Sequence, residues 1–154
     1  MEEVPDALQI APVEAAEFER LLPLIAAYQR FYEVDEVDEE RNRAFFRRFL
    51  APSGDGMLLG ARGGGELIGY ACLYWHFSSL SAAETVLMND LFVSETARGR
   101  GAGRALIEAS AAVARERGAT HLQWATAPDN LIAQRLYDST GAERSEWVEY
   151  ELGL

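Results

Sequence analysis

The apolar positions of this chain recur first at helical spacing, then at strand spacing, then at helical spacing again. Leu8 to Ala11 reads as a short first strand. From Glu14 to Tyr32 the apolar set Phe18, Leu21, Leu22, Ile25 and Tyr32 follows the period of one helix face, and Pro23 is expected to kink that helix or mark its true start. An acidic stretch, Glu33 to Glu40, gives way to Arg41 through Leu50, where Phe45, Phe46, Phe49 and Leu50 form the stripe of a second helix against Arg43, Arg47 and Arg48.

Two strands follow, Met57 to Arg62 and Glu66 to Phe77. They are joined by Gly63-Gly64-Gly65, which accepts the positive φ that tight hairpins need. A third antiparallel strand, about Ala83 to Val93, runs into a glycine-rich turn. Ala102, Ala105, Leu106, Ala109, Ala112 and Val113 then give a helical stripe closed by Arg115, Arg117 and Gly118. A strand at His121 to Thr126, a helix from about Asn130 to Thr140 stopped by Gly141, and a last alternating strand near Glu146 to Leu152 complete the pattern. The order is a mixed α/β one, an antiparallel meander followed by a βαβα unit, and 154 residues without repeat or linker read as a single domain over 1–154.

Composition narrows the function classes. A hydrophobic fraction of 49% with 25% charged residues describes an ordinary globule, and no apolar run approaches the ~20 residues that span a bilayer, so no membrane partner is expected. The start, Met1 to Asp6, is acidic and lacks the pattern of a secretion signal, which points to the cytoplasm. A formal net charge of −11 argues against nucleic acid and suits a cationic small molecule or basic peptide. Cys72 is the single cysteine, so no intramolecular disulfide forms, and it has no recognisable histidine partner for nucleophilic work. No metal is expected.

One segment departs from that acidic background. Arg98-Gly99-Arg100-Gly101-Ala102-Gly103-Arg104 follows the strand ending Leu91-Phe92-Val93 and opens a helix. The first-turn N–H groups of a helix have no internal partner, the helix dipole is positive there, and glycine lets an anion approach the backbone. The turn lacks the Gly-Lys-Ser/Thr of a phosphate loop, since Arg104-Ala105 follows Gly103. It is also no dinucleotide fingerprint, since it reads G-x-G-x-G after an antiparallel meander.

Arg98-x-x-Gly101-x-Gly103 resembles the Q/R-x-x-G-x-G/A signature of the GNAT superfamily of acyl-CoA-dependent N-acetyltransferases. Asn130-x-x-Ala133-x-x-x-Tyr137-x-x-x-Gly141-Ala142 is similar to that family's later coenzyme-flanking helix, and Asn89-Asp90-Leu91-Phe92-Val93 to its central strand. The resemblance implies a mixed sheet whose fourth and fifth strands splay apart, acetyl-CoA as co-substrate, and a homodimer joined in part by the Trp147 to Leu152 strand. It implies that backbone groups of Leu91, Phe92 and Val93 line the pantetheine arm, that amides from Gly99 through Arg100, Gly101, Ala102 and Gly103 to Arg104 hold the pyrophosphate beside Arg98, and that Asn130 and Ala133 flank the coenzyme. Tyr137 would protonate the departing thiolate.

The look-alikes are the polyamine, thialysine and histone acetyltransferase branches, and the first two tend to place a glutamate where this chain has Asn89. Candidates for taking the amine's proton are then water held by Asn89, the carboxylates Glu84 and Asp90, or His76. The acidic run, with Asp35 and Glu36, and the aromatics Tyr28, Phe31, Tyr32, Tyr74 and Trp75 are candidates for acceptor recognition through charge and cation–π contact. The acceptor classes are a polyamine, an amino acid derivative, an aminoglycoside or a lysine side chain. A non-catalytic module that senses acetyl-CoA is the alternative reading.

Overall fold

The computed structural model describes residues 7–154, so the acidic start at 1–6 lies outside the described residues. Five strands form one sheet in the order β1 (Gln9–Pro12), β2 (Gly56–Gly63), β3 (Glu66–Ser78), β4 (Ala83–Val93) and β5 (Leu122–Gln123). The first four are antiparallel neighbours and β5 joins β4 in parallel. The hairpin between β2 and β3 turns on Gly64 and Gly65, with φ of 63° and 78°, which only glycine adopts without strain.

Side-chain alternation gives the sheet two apolar faces. On one, α1 (Phe18–Phe31) and α2 (Glu39–Phe46) cover Leu58, Tyr70, Cys72 and Phe92. On the other, α3 (Ala102–Glu116) covers Leu59, Ala71, Leu73, Val86 and Met88. Pro23 neither starts nor breaks α1: it lies on the exposed side, as does Glu19, whose carbonyl loses its usual donor to solvent. α2 begins earlier than its apolar stripe predicts, because the acidic run caps it. The Asp38 carboxylate accepts from the Arg41 N–H at 3.0 Å, and Glu39 and Glu40 sit at the positive end of the dipole.

The C-terminal part departs from expectation. β5 is two residues long rather than six, α4 spans Leu131–Asp138, and the expected strand over Glu146 to Leu152 does not form: residues 142–154 carry no helix or strand and are exposed. The alternation is present in the sequence, but a strand exists only against a partner strand, and here the stretch has none among the described residues.

Candidate functional site

β4 contains the irregularity on which the site is built. Cys72 pairs with Asp90 and Leu73 with Met88, so Asn89 is an extra residue bulged out of the ladder. Before it, Val86 and Met88 face α3; after it, Asp90 and Phe92 face α1, and Leu91 and Val93 take over the α3 side. β5 pairs with β4 only at Val86 and Leu87. Beyond that point the two strands part, and the backbone edge of β4 from Asn89 to Val93 lies open along a cleft.

That cleft, about 380 Å³, runs between β4, the start of α3 and α4. At one end is the glycine turn. Gly99 and Gly101 have φ of 84° and 81°, and Gly101 is the residue capping α3. The Ala105 N–H donates to the Gly101 carbonyl at 3.0 Å, so the N–H groups of Ala102, Gly103 and Arg104 precede the first helical bond, and no side chain caps them. A Cβ on Gly99 or Gly101 would meet no atom within 4 Å, so glycine serves the backbone conformation and the approach of something from outside. Arg98 lines the cleft, its Nε donating to the Val93 carbonyl at 3.2 Å and its guanidinium 6.0 Å from the Phe31 ring. Arg104 lines it too and is bound to Ser139 at the end of α4. Arg100 is exposed and outside the lining.

α4 supplies the opposite wall. Asn130 caps it, accepting from the Ala133 N–H at 3.2 Å, and Asn130, Ile132, Ala133, Leu136 and Tyr137 face the cleft. Tyr137 packs edge to face on Trp124 at 5.5 Å, and burial, with Tyr32 nearby, pushes its phenol up to about 12. It is therefore protonated at any physiological pH and able to donate. Beside it a small recess is walled by Tyr28, Tyr32, Met88, Asn89, Leu91, Trp124, Ala125 and Tyr137, four of which also line the main cleft.

Asp90 stands behind that recess, 3% exposed. Burial raises its carboxyl to about 6, against the opposing effect of two donors, the Asn89 side-chain amide at 2.7 Å and the Tyr70 hydroxyl at 3.3 Å. The same burial pushes the Cys72 thiol and the Tyr70 and Tyr28 phenols up, so Cys72 is an inert core residue.

Other predicted residues fall elsewhere. Glu84 lies at the far end of β4 near Arg117, at 3.9 Å. Tyr74 stacks on Phe49, and Trp75 lies under the Arg117 guanidinium at 3.8 Å with its indole N–H donating to the Ser53 carbonyl. Asp35 and Glu36 are on the α1–α2 connection and line neither opening, and His76 is exposed beside Gln123. The sequence reading did not name Ala97, Met88, Trp124, Ala125, Ile132 or Leu136. Ile132 and Leu136 were findable, one residue before Ala133 and Tyr137 on the same helix. So was Trp124, just past the carboxyl end of a parallel strand, where open α/β sheets gather ligands. Among the described residues no cluster of three His, Cys, Asp or Glu is placed to hold a metal, and no helix is long and apolar enough to cross a membrane.

Residues 21–142 match the Acetyltransferase (GNAT) family. The chain is 35% identical over 150 residues to the D-amino-acid N-acetyltransferase HPA3 of Saccharomyces cerevisiae, covering 96% of this chain and 92% of that one. It is 33% identical over 148 residues to the uncharacterized N-acetyltransferase YhfO of Bacillus subtilis, covering 96% and 98%. A crystal structure of a probable acetyltransferase superposes with a TM-score of 0.83 at 30% identity over 95% of this chain and 97% of that one.

Proposed function

For a chain that belongs to the Acetyltransferase (GNAT) family and is an acetyltransferase enzyme, we propose that acetyl-CoA is the donor and a primary amine of a small cationic molecule the acceptor. An amino acid derivative is the class favoured by the name of the yeast relative, with polyamines and lysine side chains as further acceptors and a homodimer as the assembly. The observation that carries this reading is the single cleft that joins three things: the uncapped N–H groups of α3, the open edge of β4 and the Tyr137 ring.

The residues present fit the coenzyme. The amides of Ala102, Gly103 and Arg104 suit a pyrophosphate, with Arg98 and Arg104 adding positive charge, and Asn130 and Ala133 stand opposite. The free backbone edge at Leu91 to Val93 suits the amide-bearing pantetheine arm, which it can hold as a sheet holds an added strand. The coenzyme supplies an activated acetyl thioester. Tyr137, held neutral, donates a proton to the leaving sulfur.

The acceptor's nitrogen enters the recess at Asn89. An alkyl amine of reference pKa about 10.4 is neutral only once in about 2,500 at pH 7, a cost of ~4.6 kcal/mol. The Asp90 carboxylate behind Asn89 offsets part of it, because nitrogen gains positive charge as it attacks and a buried anion stabilises that change. The proton leaves through solvent in the recess toward Asp90. Glu84 is too remote for this work.

The test is release of free thiol from acetyl-CoA across amino acids of both hands, diamines, spermidine, thialysine, aminoglycosides and a basic peptide, with wild type beside Tyr137→Phe. Turnover on one amine class that falls in the variant is expected. Coenzyme binding without acceptor-stimulated release by any amine overturns the proposal.

A further inference from the structure

Two side chains that follow one another in a regular strand point to opposite faces, yet the Asn89 side-chain amide donates to the Asp90 carboxylate at 2.7 Å. The bulge permits that contact, because Asn89 is turned out of the ladder. Tyr70, fully buried on β3, donates its hydroxyl to the other carboxylate oxygen at 3.3 Å. The Tyr28 hydroxyl donates to the Asn89 backbone carbonyl at 3.5 Å and so ties α1 to the bulge.

Asp90 forms no ion pair among the described residues. The titratable groups that face it are Tyr28 from α1 and Tyr70, Cys72 and Tyr74 from β3, each pushed up by burial and neutral. A buried carboxylate without a cation opposes folding, so packing alone gives no reason for it. An ionised carboxylate only accepts hydrogen bonds, and it therefore dictates which end of the Asn89 amide turns toward it. The nitrogen faces Asp90, and in a planar amide the oxygen then points away. That oxygen has no partner among the described residues, while Asn89 is exposed and walls the recess.

We propose that the Asn89 side-chain oxygen receives an N–H of the acceptor amine, and that Asp90 and Tyr70 are positioning residues that hold this oxygen toward the recess. The chemistry of this inference rests on the acetyl-transfer reading. An amine held by one N–H keeps its lone pair for the thioester carbon. The N–C bond forms, and the C–S bond breaks with its electron pair on sulfur. Tyr137 protonates the sulfur, and the nitrogen's surplus proton leaves through the solvent of the recess, from which Tyr137 is reprotonated. Tyr70 then serves the reaction from outside the lining of both openings.

Tyr70→Phe removes one hydroxyl and keeps the ring. With lysine of either hand and spermidine as amine probes, its kcat/KM for the amine is expected to fall about tenfold with the KM for acetyl-CoA unchanged, and that of Asn89→Ala about 10²-fold. Because Tyr70 acts through Asn89, Tyr70→Phe should cost less than about twofold in the Asn89→Ala background. Burial holds the Asp90 carboxyl at about 6, with Tyr70 one of the donors that lower it, so loss of that donor moves the acid limb of kcat/KM to higher pH. A tyrosine that only packs moves neither readout. An acid limb that stays in place, or an equal loss in both backgrounds, overturns the proposal. If Tyr70→Phe does not fold, Asp90→Asn, whose amide bonds either end of Asn89, takes its place in the same cycle. NMR of the Asn89 side-chain amide reads the contacts without turnover: its signals should follow the Asp90 titration in wild type, and follow it at higher pH in Tyr70→Phe. Signals that ignore that titration overturn the inference. The expected titration with no turnover on any amine supports the positioning and overturns the acetyl-transfer reading alone.

Discussion

α3 and α4 stand on either side of the same cleft and are both amphipathic, yet α3 buries Ala102, Leu106, Ile107, Ser110 and Ala114 while α4 buries nothing. Amphipathic pattern sets which face of a helix is apolar. What lies opposite decides whether that face is covered. α3 lies across all five strands and so holds the glycine-rich turn on a rigid base. α4 packs Tyr137, the proposed proton donor, on Trp124 just past β5. On the proposed reading, the coenzyme's charged end is gripped by the firm half of the molecule and its reactive end by the loosely covered half.

Four experiments break or sharpen that contrast. Tyr137→Phe should lower turnover by about 10²- to 10⁴-fold, the usual span for a positioned proton donor. Coenzyme affinity, which the proposed grip assigns to α3, should change by less than about twofold, and steady-state kinetics beside calorimetry reads both. A large loss of affinity would mean that α4 is part of the grip.

Next, Leu106→Ala should cost roughly 2–5 kcal/mol in denaturant unfolding, as expected for a fully buried leucine, whereas Ile132→Ala, 80% exposed, should stay within about 0.5 kcal/mol. Equal costs would erase the difference between the helices.

Asp90→Asn is expected to stabilise the fold and slow the reaction. The carboxyl titrates near 6 in the fold against 3.8 free, so its ionisation opposes folding. Below about pH 4 that opposition is absent, and it is complete once the pH has risen through 6. The variant should accordingly melt higher than wild type at pH 8, by ~1–3 kcal/mol of stability, with the gap closing toward pH 4, while turnover drops about tenfold. A variant that is less stable at pH 8 would show that the contacts to Tyr70 and Asn89 outweigh the buried charge. The smallest effect is expected for Gly101→Ala, which forces a Cβ into the left-handed region at roughly 1–2 kcal/mol and should weaken coenzyme binding about tenfold.

The same contrast separates what the sequence discloses from what it hides. The β2–β3 hairpin, the span of β4, α3 with its glycine stop and the glycine-rich turn before it are local facts: Gly64, Gly65, Gly101 and Gly118 all have the positive φ their positions demand. The tail at Trp147 to Leu152 reads as a strand just as clearly, and it is not one, because pairing is decided by a neighbour that periodicity does not contain. Asp90 is legible as an acid in an apolar strand, but its burial behind the recess, away from Glu84 at the far end of the strand, required the tertiary fold. In the acidic run at 33–40, Asp38 caps α2 and Glu39 and Glu40 lie in its first turn, a local role that the excess of charge does not disclose.

The bulged Asn89 acts on β4 as a dislocation acts on a crystal row: the pattern on either side is regular, but the two regular stretches are out of phase by one place. A saturation scan of the strand should therefore show a tolerance profile that alternates normally through Met88, skips a beat, and resumes inverted from Asp90. Deleting Asn89 would close the ladder while leaving Met88 toward α3, Asp90 toward α1 and Leu91 toward α3, so that a single missing codon removes the dislocation, keeps the contents of both cores and takes away only one wall of the recess.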